Sequence, residues 1–241
     1  MEENGVRINK FLSEAGYCSR READRLIEQG RITVDGKVLS VGCKVMPGQR
    51  VRVDGKEIKK EEEMILLAFN KPVGIVCTAA KDEKDNIVDY IHYPKRIYPV
   101  GRLDKDSTGL ILLTNDGDLT DRILRGKNNH EKEYLVTVQK PLRPEIIHAM
   151  EQGVPILDTM TRPCQIVPID SHTFRIILTQ GLNRQIRRMC EYFGYKVTTL
   201  KRVRVMNIHL GELKEGTWRE ITGDELMELK NALKGQKFYN E

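Results

Sequence analysis

The sequence contains no long apolar run, no paired cysteines and no recognisable targeting segment. No stretch approaches the ~18 consecutive apolar residues of a membrane helix, so we expect no membrane span. Five cysteines are scattered along 241 residues without a Cys-x-x-Cys pair, and the five histidines are equally dispersed. Disulfide and zinc sites have recognisable spacings, so we expect reduced thiols, a cytoplasmic location and no bound metal. Residues 1–5 are acidic and polar, unlike a signal peptide.

Positive charge is concentrated in one segment. The formal net charge is only +5, yet seven cations and a single carboxylate, Glu191, lie between residues 184 and 204. The seven cations are Arg184, Arg187, Arg188, Lys196, Lys201, Arg202 and Arg204. Such a cluster attracts a polyphosphate partner, although a solvated basic face is an alternative explanation.

Residues 6–60 have the pattern of a small module with two helices and a short sheet. Apolar residues from Ile8 onward repeat at helical spacing, Ser19 and Glu22 form a capping box, and Asp35-Gly36 is a type I′ turn signal. Segments 7–12, 19–23, 30–37 and 45–53 resemble the S4 RNA-binding domain. The resemblance implies that cations along the helices bind structured RNA: Arg7, Lys10, Arg20, Arg21 and Arg25. A charged helical cap on an unrelated enzyme is the alternative.

The charge run at 59–63 lacks apolar anchors and predicts a linker at 61–64, between domains at 1–60 and 65–241. Beyond it the pattern is mostly strands, predicted at 65–69, 74–78, 110–114, 132–138, 164–168, 173–178 and 203–210. Helices are predicted at 87–91, 119–124, 144–152 and 184–193, with a last one from Thr222. We therefore predict an α+β fold in which the small module precedes a mixed, mainly antiparallel sheet with flanking helices.

Residues 101–110, Gly-Arg-Leu-Asp-Lys-Asp-Ser-Thr-Gly-Leu, combine charges of both signs with two hydroxyls. Asp104 is the candidate catalytic residue, because a carboxylate beside cations suits chemistry on a polyanion. Arg102 and Lys105 could instead form surface ion pairs with Asp104 and Asp106, which contribute little. The segment also matches the Asp-x-Asp-x-Thr pattern of magnesium phosphatases, but it does not follow the buried parallel strand that those enzymes need.

Together with Asn-Lys-Pro-Val-Gly at 70–74, this segment resembles the second motif of the pseudouridine synthases. Three further segments follow in the order of that family, at 131–134, 181–189 and 200–204. The resemblance covers the whole chain, including the S4 module, and is greatest to the branch that modifies ribosomal RNA. Segments 73–78, 85–89, 130–134 and 181–190 carry this narrower match.

The resemblance implies an isomerase that detaches the base of a uridine, rotates it and rejoins it through C5. This reaction involves no redox change or hydrolysis, so no cofactor is implied, and the sequence has no nucleotide or metal motif. Asp104 would attack the base, attack the sugar or take a sugar proton. Tyr134 would stack on the extruded uracil and can accept the C5 proton, unless it is an ordinary core residue. Arg187 would be the counter-charge of Asp104, unless it contacts a phosphate.

The remaining candidate residues would bind RNA. Arg102 would fill the space that the flipped uridine leaves. The resemblance also implies phosphate contacts from Arg184, Arg188, Lys201, Arg202 and Arg204. The expected substrate is a stem-loop of large-subunit (23S) ribosomal RNA, recognised by a monomer. A uridine in small-subunit or transfer RNA is an alternative, and so is a non-catalytic S4 assembly factor.

Overall fold

The computed structural model describes residues 5–59, 63–80, 82–125 and 129–234. Residues 61 and 62 of the predicted linker lie outside these ranges. The chain forms two compact units. The first contains the described residues up to Ile65 together with 93–97 and 115–117, two short segments from within the predicted domain 65–241. The second contains 66–92, 98–114 and the described residues from 118 onward.

The first unit has the predicted helices and short sheet. Its elements are β1 (Val6–Arg7), α1 (Ile8–Glu14), α2 (Arg20–Glu28), β2 (Ile32–Val34), β3 (Lys37–Val38), β4 (Lys44–Val45), β5 (Val51–Val53) and β6 (Lys56–Ile58). Ser19 Oγ accepts from the Glu22 backbone N–H at 3.1 Å, which confirms the capping box. Asp35 and Gly36 have φ of 47° and 79°, as a type I′ turn requires. Helix and strand residues share one buried core, from Ile8 to Val53.

The remaining elements build one large sheet with helices. They are β7 (Leu66–Lys71), α3 (Ile87–Ile91), β8 (Tyr98–Val100), β9 (Thr108–Thr114), α4 (Gly117–Leu124), β10 (Lys132–Val138), α5 (Pro144–Gln152), β11 (Pro155–Ile156), β12 (Thr159–Met160), β13 (Gln165–Pro168), β14 (Thr173–Leu178), α6 (Gln185–Tyr192), β15 (Val197–Val205), β16 (Ile208–His209), β17 (Trp218–Glu220) and α7 (Gly223–Lys234). The sheet order is β13-β14-β10-β15-β9-β7-β17, with β8 paired to β9 and β16 to β15. Among the described strands, all pairs in this sheet are antiparallel except β15 with β9. The predicted fold class is confirmed.

Burial explains why the central strands were recognisable from the sequence. All six residues of β7 are buried, and so are the last six of β9. Strands covered on both faces form continuous apolar runs rather than alternating patterns. Strand β10, which lies between β14 and β15, instead alternates between buried and partly buried side chains along most of its length.

Two strand predictions are wrong. Segment 74–78 is not a strand, and only an isolated bridge joins Val76 to Asn86. Its backbone carbonyl at Ile75 instead accepts from the buried Lys71 side chain at 2.9 Å. The predicted strand 203–210 is divided, because β15 starts at Val197 and a turn with Met206 at φ 53° separates it from β16.

Gly109 allows the one parallel pairing in the sheet. It lies opposite Arg202 of β15, and its φ is +99°. A Cβ atom on Gly109 would lie 2.2 Å from the Arg202 carbonyl oxygen, so only glycine permits this approach of the two backbones. The close pairing joins the segment that carries Asp104 to β15.

Candidate active site

A cleft of about 420 Å³ is lined by residues of the second unit. It is lined by the segment at 100–104, by α4, β10 and β15, and by the segment that leads from β14 into α6. Its volume lies within the range of ~300–1,000 Å³ that is typical of small-molecule sites. The structure brings together five of the predicted site residues in its lining: Arg102, Asp104, Tyr134, Arg184 and Arg202.

The segment with Asp104 is fixed by hydrogen bonds from the 70–77 region. The Lys105 carbonyl accepts from the Gly74 backbone N–H at 2.8 Å and from Lys71 Nζ at 3.4 Å. Lys71 is fully buried, and burial lowers the pKa of its ammonium group. Next to Asp104, the Leu103 backbone N–H donates to Cys77 Sγ at 3.3 Å. These contacts hold the backbone on both sides of Asp104.

The cation beside Asp104 is Arg184. Arg184 Nη1 lies 3.5 Å from Asp104 Oδ2, and the Asp104 side chain is 31% exposed. The sequence predicted Arg187 in this position, and the structure corrects that prediction. Helix α6 begins at Gln185 and Arg184 is its N-cap residue, with φ at 50°, so Arg184 stands in front of the helix.

Arg187 lies within the first turn of α6 and binds the next part of the segment. Its Nη2 donates to the Asp106 carbonyl oxygen at 3.0 Å and to Ser107 Oγ at 3.3 Å. The same nitrogen lies 3.4 Å from the Asp106 carboxylate. Arg187 therefore contacts the segment near Asp104 rather than Asp104 itself. Its role in catalysis stays a prediction.

Asp106 joins the two arginines. Its carboxylate accepts from Arg184 Nη1 at 3.2 Å and Nη2 at 3.1 Å, a bidentate pair. Burial alone would raise the pKa of Asp106. The Arg184 hydrogen bond and the charges of Arg187 and Arg184 outweigh that effect and hold the pKa below its ordinary value. No sequence pattern distinguished Asp106 from the turn around it.

A bulge in β15 separates Arg202 from Arg204. Arg202 lies opposite Tyr134 of β10, whereas Arg204 lies opposite Glu133, because the register shifts between these two β10 residues. The two arginines therefore face opposite sides of the sheet. Arg202 is 4% exposed and donates from Nε to the Leu110 carbonyl at 2.7 Å.

Protein groups already engage Arg202 and Arg204. Arg202 is buried in the cleft lining and uses its Nε for the Leu110 carbonyl. Arg204 forms ion pairs with Glu133 at 2.8 Å and Glu131 at 2.9 Å, and its side chain is only 14% exposed. The phosphate contacts expected of both arginines stay predictions.

Tyr134 and Lys132 lie on one face of β10. Residues two apart in a strand share a face, and both of these side chains line the cleft. Tyr134 is 9% exposed, so its ring forms part of the cleft wall rather than a free surface. Burial lowers the pKa of Lys132 to about 8, and the nearby Arg202 guanidinium contributes to the shift. The site thus combines a carboxylate, an aromatic wall and an unusually acidic ammonium group.

Comparison with known proteins agrees with this arrangement. Residues 65–192 match the family model described as RNA pseudouridylate synthase, and residues 6–51 match the S4 domain. The dual-specificity RNA pseudouridine synthase RluF of Salmonella typhi is 54% identical over 237 residues, which cover 98% of this chain and 82% of that protein. This chain belongs to the RNA pseudouridine synthase family.

Other relatives of this synthase cover nearly all of its length. RluF of Escherichia coli K12 is 54% identical across 95% of this chain and 80% of its own. The ribosomal large subunit pseudouridine synthase B of Bacillus subtilis is 34% identical across 93% of this chain and 95% of its own. A crystal structure of a pseudouridylate synthase has a TM-score of 0.68 at 29% identity, and it covers 94% of this chain. The narrower resemblance to the ribosomal branch is confirmed.

The other predicted RNA-binding cations of the synthase lie outside the cleft lining. Arg188 of α6 is half-buried and donates to the Asn183 carbonyl at 3.1 Å, while Lys201 of β15 is half-buried. In the S4 unit, Arg7, Arg20, Arg21 and Arg25 are exposed, and Lys10 lies 3.5 Å from Glu14. Their contacts with RNA stay predictions.

Among the described residues there is neither a metal-binding cluster nor a membrane-spanning helix. No group of three or more His, Cys, Asp and Glu side chains lies close enough to bind a metal ion within 5–59, 63–80, 82–125 and 129–234. In the same part of the chain, no helix is both long and apolar enough to cross a membrane.

Proposed function

We propose that this synthase isomerises a uridine in a stem-loop of large-subunit ribosomal RNA, with Asp104 as the reacting carboxylate and without a cofactor. The observation that carries the proposal is the position of Asp104 in one cleft with Tyr134, in a member of this enzyme family. The Bacillus subtilis relative supports the substrate, because its name specifies the ribosomal large subunit. Isomerisation changes neither oxidation state nor composition, so no co-reactant is needed.

Asp104 acts as a carboxylate in a partly desolvated cleft. The Arg184 guanidinium, at 3.5 Å, places a positive charge beside this carboxylate. An ionised Asp104 can attack the base, attack the sugar or take a sugar proton. Tyr134 provides a stacking surface for the uracil, a contact that contributes ~1–3 kcal/mol per base.

The uridine has to leave its RNA stack to reach Asp104. This step costs a few kcal/mol, and a side chain that replaces the base in the stack reduces the cost. Arg102 suits this role, because it is exposed at the cleft and is a neighbour of Asp104 in the chain. Its planar guanidinium can stack as well as donate hydrogen bonds.

The two parts of the chain have different roles in this proposal, RNA binding and catalysis. Residues 1–60 form the S4-like reader, in which the exposed Arg7, just before α1, and the exposed cations of α2 bind phosphates. Residues 65–241 form the catalytic domain. The cytoplasmic location and the monomeric state stay predictions.

A second RNA substrate has a specific observation in its favour. The relatives at 54% identity are named dual-specificity RNA pseudouridine synthases. We infer that this synthase can modify a second RNA, such as a transfer RNA, whose loop has a similar shape.

Mapping pseudouridines in cells with and without the gene tests the substrate. Chemical labelling of ribosomal and transfer RNA from both strains should reveal at least one large-subunit position that is modified only when the gene is present. Restoring the gene should restore that position. Labelling that changes only in small-subunit or transfer RNA would contradict the large-subunit assignment.

Replacing Asp104 tests the chemistry. Asp104→Asn keeps the shape of the side chain but removes the charge, so we expect no detectable pseudouridine while RNA affinity stays within about threefold of the parent. Asp158→Asn, in the exposed β11–β12 turn, is the matched control and should keep full activity. An active Asp104→Asn enzyme would rule out Asp104 as the reacting group.

A further inference from the structure

The chemistry of this reaction places negative charge on the uracil ring, whichever route Asp104 follows. If the N1–C1′ bond breaks, its electron pair leaves with N1 and the charge spreads over N1, O2 and O4. If the carboxylate adds to C6, the pair of the C5–C6 double bond moves to C5 and O4. Bonding of C5 to C1′ then consumes a ring electron pair, the C5 proton leaves, and N1 gains a proton. The overall composition of the nucleotide is unchanged. Because each route passes through a transient anion on the uracil ring, each needs that anion to be stabilised.

Four cations line the cleft, and two of them are already engaged. Arg184 is paired with Asp106 and Asp104, and Arg202 donates to the Leu110 carbonyl. Arg102 is exposed and precedes Asp104 by two residues. Lys132 remains, with its side chain partly buried inside the cleft.

Lys132 is not held by another protein group. In the described part of the chain, its ammonium group has neither a hydrogen-bond partner nor an ion-pair partner, and the charge that acts on it is that of the cation Arg202. A buried cation next to another cation is unfavourable for folding. The lowered pKa of about 8 reflects this cost. Such an arrangement suits a ligand that brings negative charge.

The position of Lys132 relative to the uracil follows from the strand. Lys132 and Tyr134 are two residues apart on the same face of β10, so their Cα atoms are separated by about 7 Å. A base stacked on the Tyr134 ring therefore brings a ring edge within reach of a lysine side chain. Tyr134 would hold the ring by its face, and Lys132 would contact a carbonyl at its edge.

We propose that the Lys132 ammonium group stabilises the negative charge that develops on the uracil ring, which makes Lys132 a further catalytic residue. The inference rests on the proposed function of the Asp104 cleft. It explains why an unpaired lysine is kept in the cleft next to Arg202. Preorganised positive charge at a developing anion is a general source of catalytic power.

Single-turnover kinetics with Lys132→Met and Lys132→Arg test the inference. The RNA is the one that the labelling map identifies as a substrate, so the result does not depend on which RNA that is. We expect Lys132→Met to react about 10²-fold more slowly than the parent, as for loss of one anion-stabilising donor. Its affinity for the RNA should stay within about threefold, and Lys132→Arg should recover most of the rate because the charge is restored.

Thermal unfolding separates this role from a structural one. Removing an unpaired buried charge should leave Lys132→Met at least as stable as the parent at pH 7, whereas loss of a structural contact would lower the unfolding temperature. Lys230→Met, on the exposed face of α7, is the matched control and should change neither rate nor stability.

Two results would overturn the inference without affecting the proposed function. One is a Lys132→Met rate within threefold of the parent. The other is a slow variant that is also less stable or that has lost RNA affinity. Conversely, full activity of Asp104→Asn would contradict the proposed function itself, so the two failures are distinguishable.

Discussion

Asp106 shows how a single side chain can position the counter-charge of Asp104, the carboxylate that we propose reacts. It fixes Arg184 through two hydrogen bonds, and Arg184 in turn lies beside Asp104. The guanidinium is therefore oriented before RNA binds, which avoids a cost of reorganisation during the reaction. Asp106 is a positioning residue in this interpretation.

Asp106→Asn should therefore slow catalysis while leaving Asp104 in place. The amide keeps the shape of the carboxylate but loses its charge, so Arg184 is held less firmly. We expect a rate about tenfold lower in single turnover, with RNA affinity largely unchanged. Asp106→Glu should recover part of the rate, and unchanged kinetics for Asp106→Asn would contradict the positioning role.

The same residue gives a prediction about pH and stability. The pKa of Asp106 is lower in the folded protein than the ordinary value of about 3.9, so its charge stabilises the fold above that pH. The contribution is lost as the pH falls through the lowered folded pKa. Because the side chain is 49% exposed, we expect less than ~1 kcal/mol. The free energies of urea unfolding of the parent and Asp106→Asn should differ at pH 6, and the difference should shrink as the pH falls below about 3.9.

Sequence patterns could identify some site residues but not the pairing between them. Asp104 and Tyr134 lie in segments whose composition and family resemblance drew attention to them. Lys132 shares the period-two face of Tyr134 and could have been predicted to line the same cleft. The pairing of Arg184 with Asp104 could not, because it depends on a left-handed residue at the start of α6.

At the level of elements, the parallel contact between β9 and β15 determines where Asp104 lies. Thr108 and Gly109 pair with Lys201 and Arg202, so the end of the catalytic segment is attached directly to β15. Local patterns predicted β9 from its continuous apolar run and β10 and β14 from their alternating apolar residues. The strand prediction for 74–78 failed because the side chain of Lys71, four residues before Ile75, binds the Ile75 carbonyl in place of a neighbouring strand.

Gly109→Ala tests the importance of this pairing. The added Cβ would lie 2.2 Å from the Arg202 carbonyl oxygen and 2.7 Å from its nitrogen, at a φ that side chains rarely adopt. Strain and overpacking together should cost about 3 kcal/mol or more. The unfolding temperature should fall by roughly 6–12 °C, and activity should fall because β9 and β15 must separate.

Gly211→Ala is the control for backbone strain alone. Gly211 also has a positive φ, at 53°, but nothing lies within 4 Å of its Cβ position. Its substitution should cost only about 1–2 kcal/mol. Equal destabilisation by the two alanines would show that conformational strain, rather than the approach of Arg202, determines the requirement for Gly109.

At the level of the whole molecule, positively charged side chains lie at two kinds of site, the cleft and the surface of the S4 unit. In the cleft, Arg184 pairs with two aspartates and Arg202 donates to a backbone carbonyl, whereas Arg20, Arg21 and Arg25 of the S4 unit are exposed, the last beside Glu22. The sequence predicted RNA contacts for all of them, because a list of cations does not show which ones are paired. We expect most of the salt-dependent binding to come from the exposed cations of the S4 unit.

Replacing these three arginines by glutamine should therefore weaken RNA binding and reduce its dependence on salt. Each phosphate contact contributes about 0.7–0.9 to the slope of log affinity against log salt, so the slope should decrease by roughly 2–3. Filter binding between 50 and 300 mM KCl measures this slope, and the single-turnover rate at saturating enzyme should change little.

The control removes the same charge elsewhere in the S4 unit, at Arg50, Arg52 and Lys56, which are also exposed. If both variants lose the same slope, net charge rather than the face formed by α2 accounts for binding. A loss confined to the helix variant places the RNA backbone along that helix, because only cations that displace counterions from phosphates alter the slope.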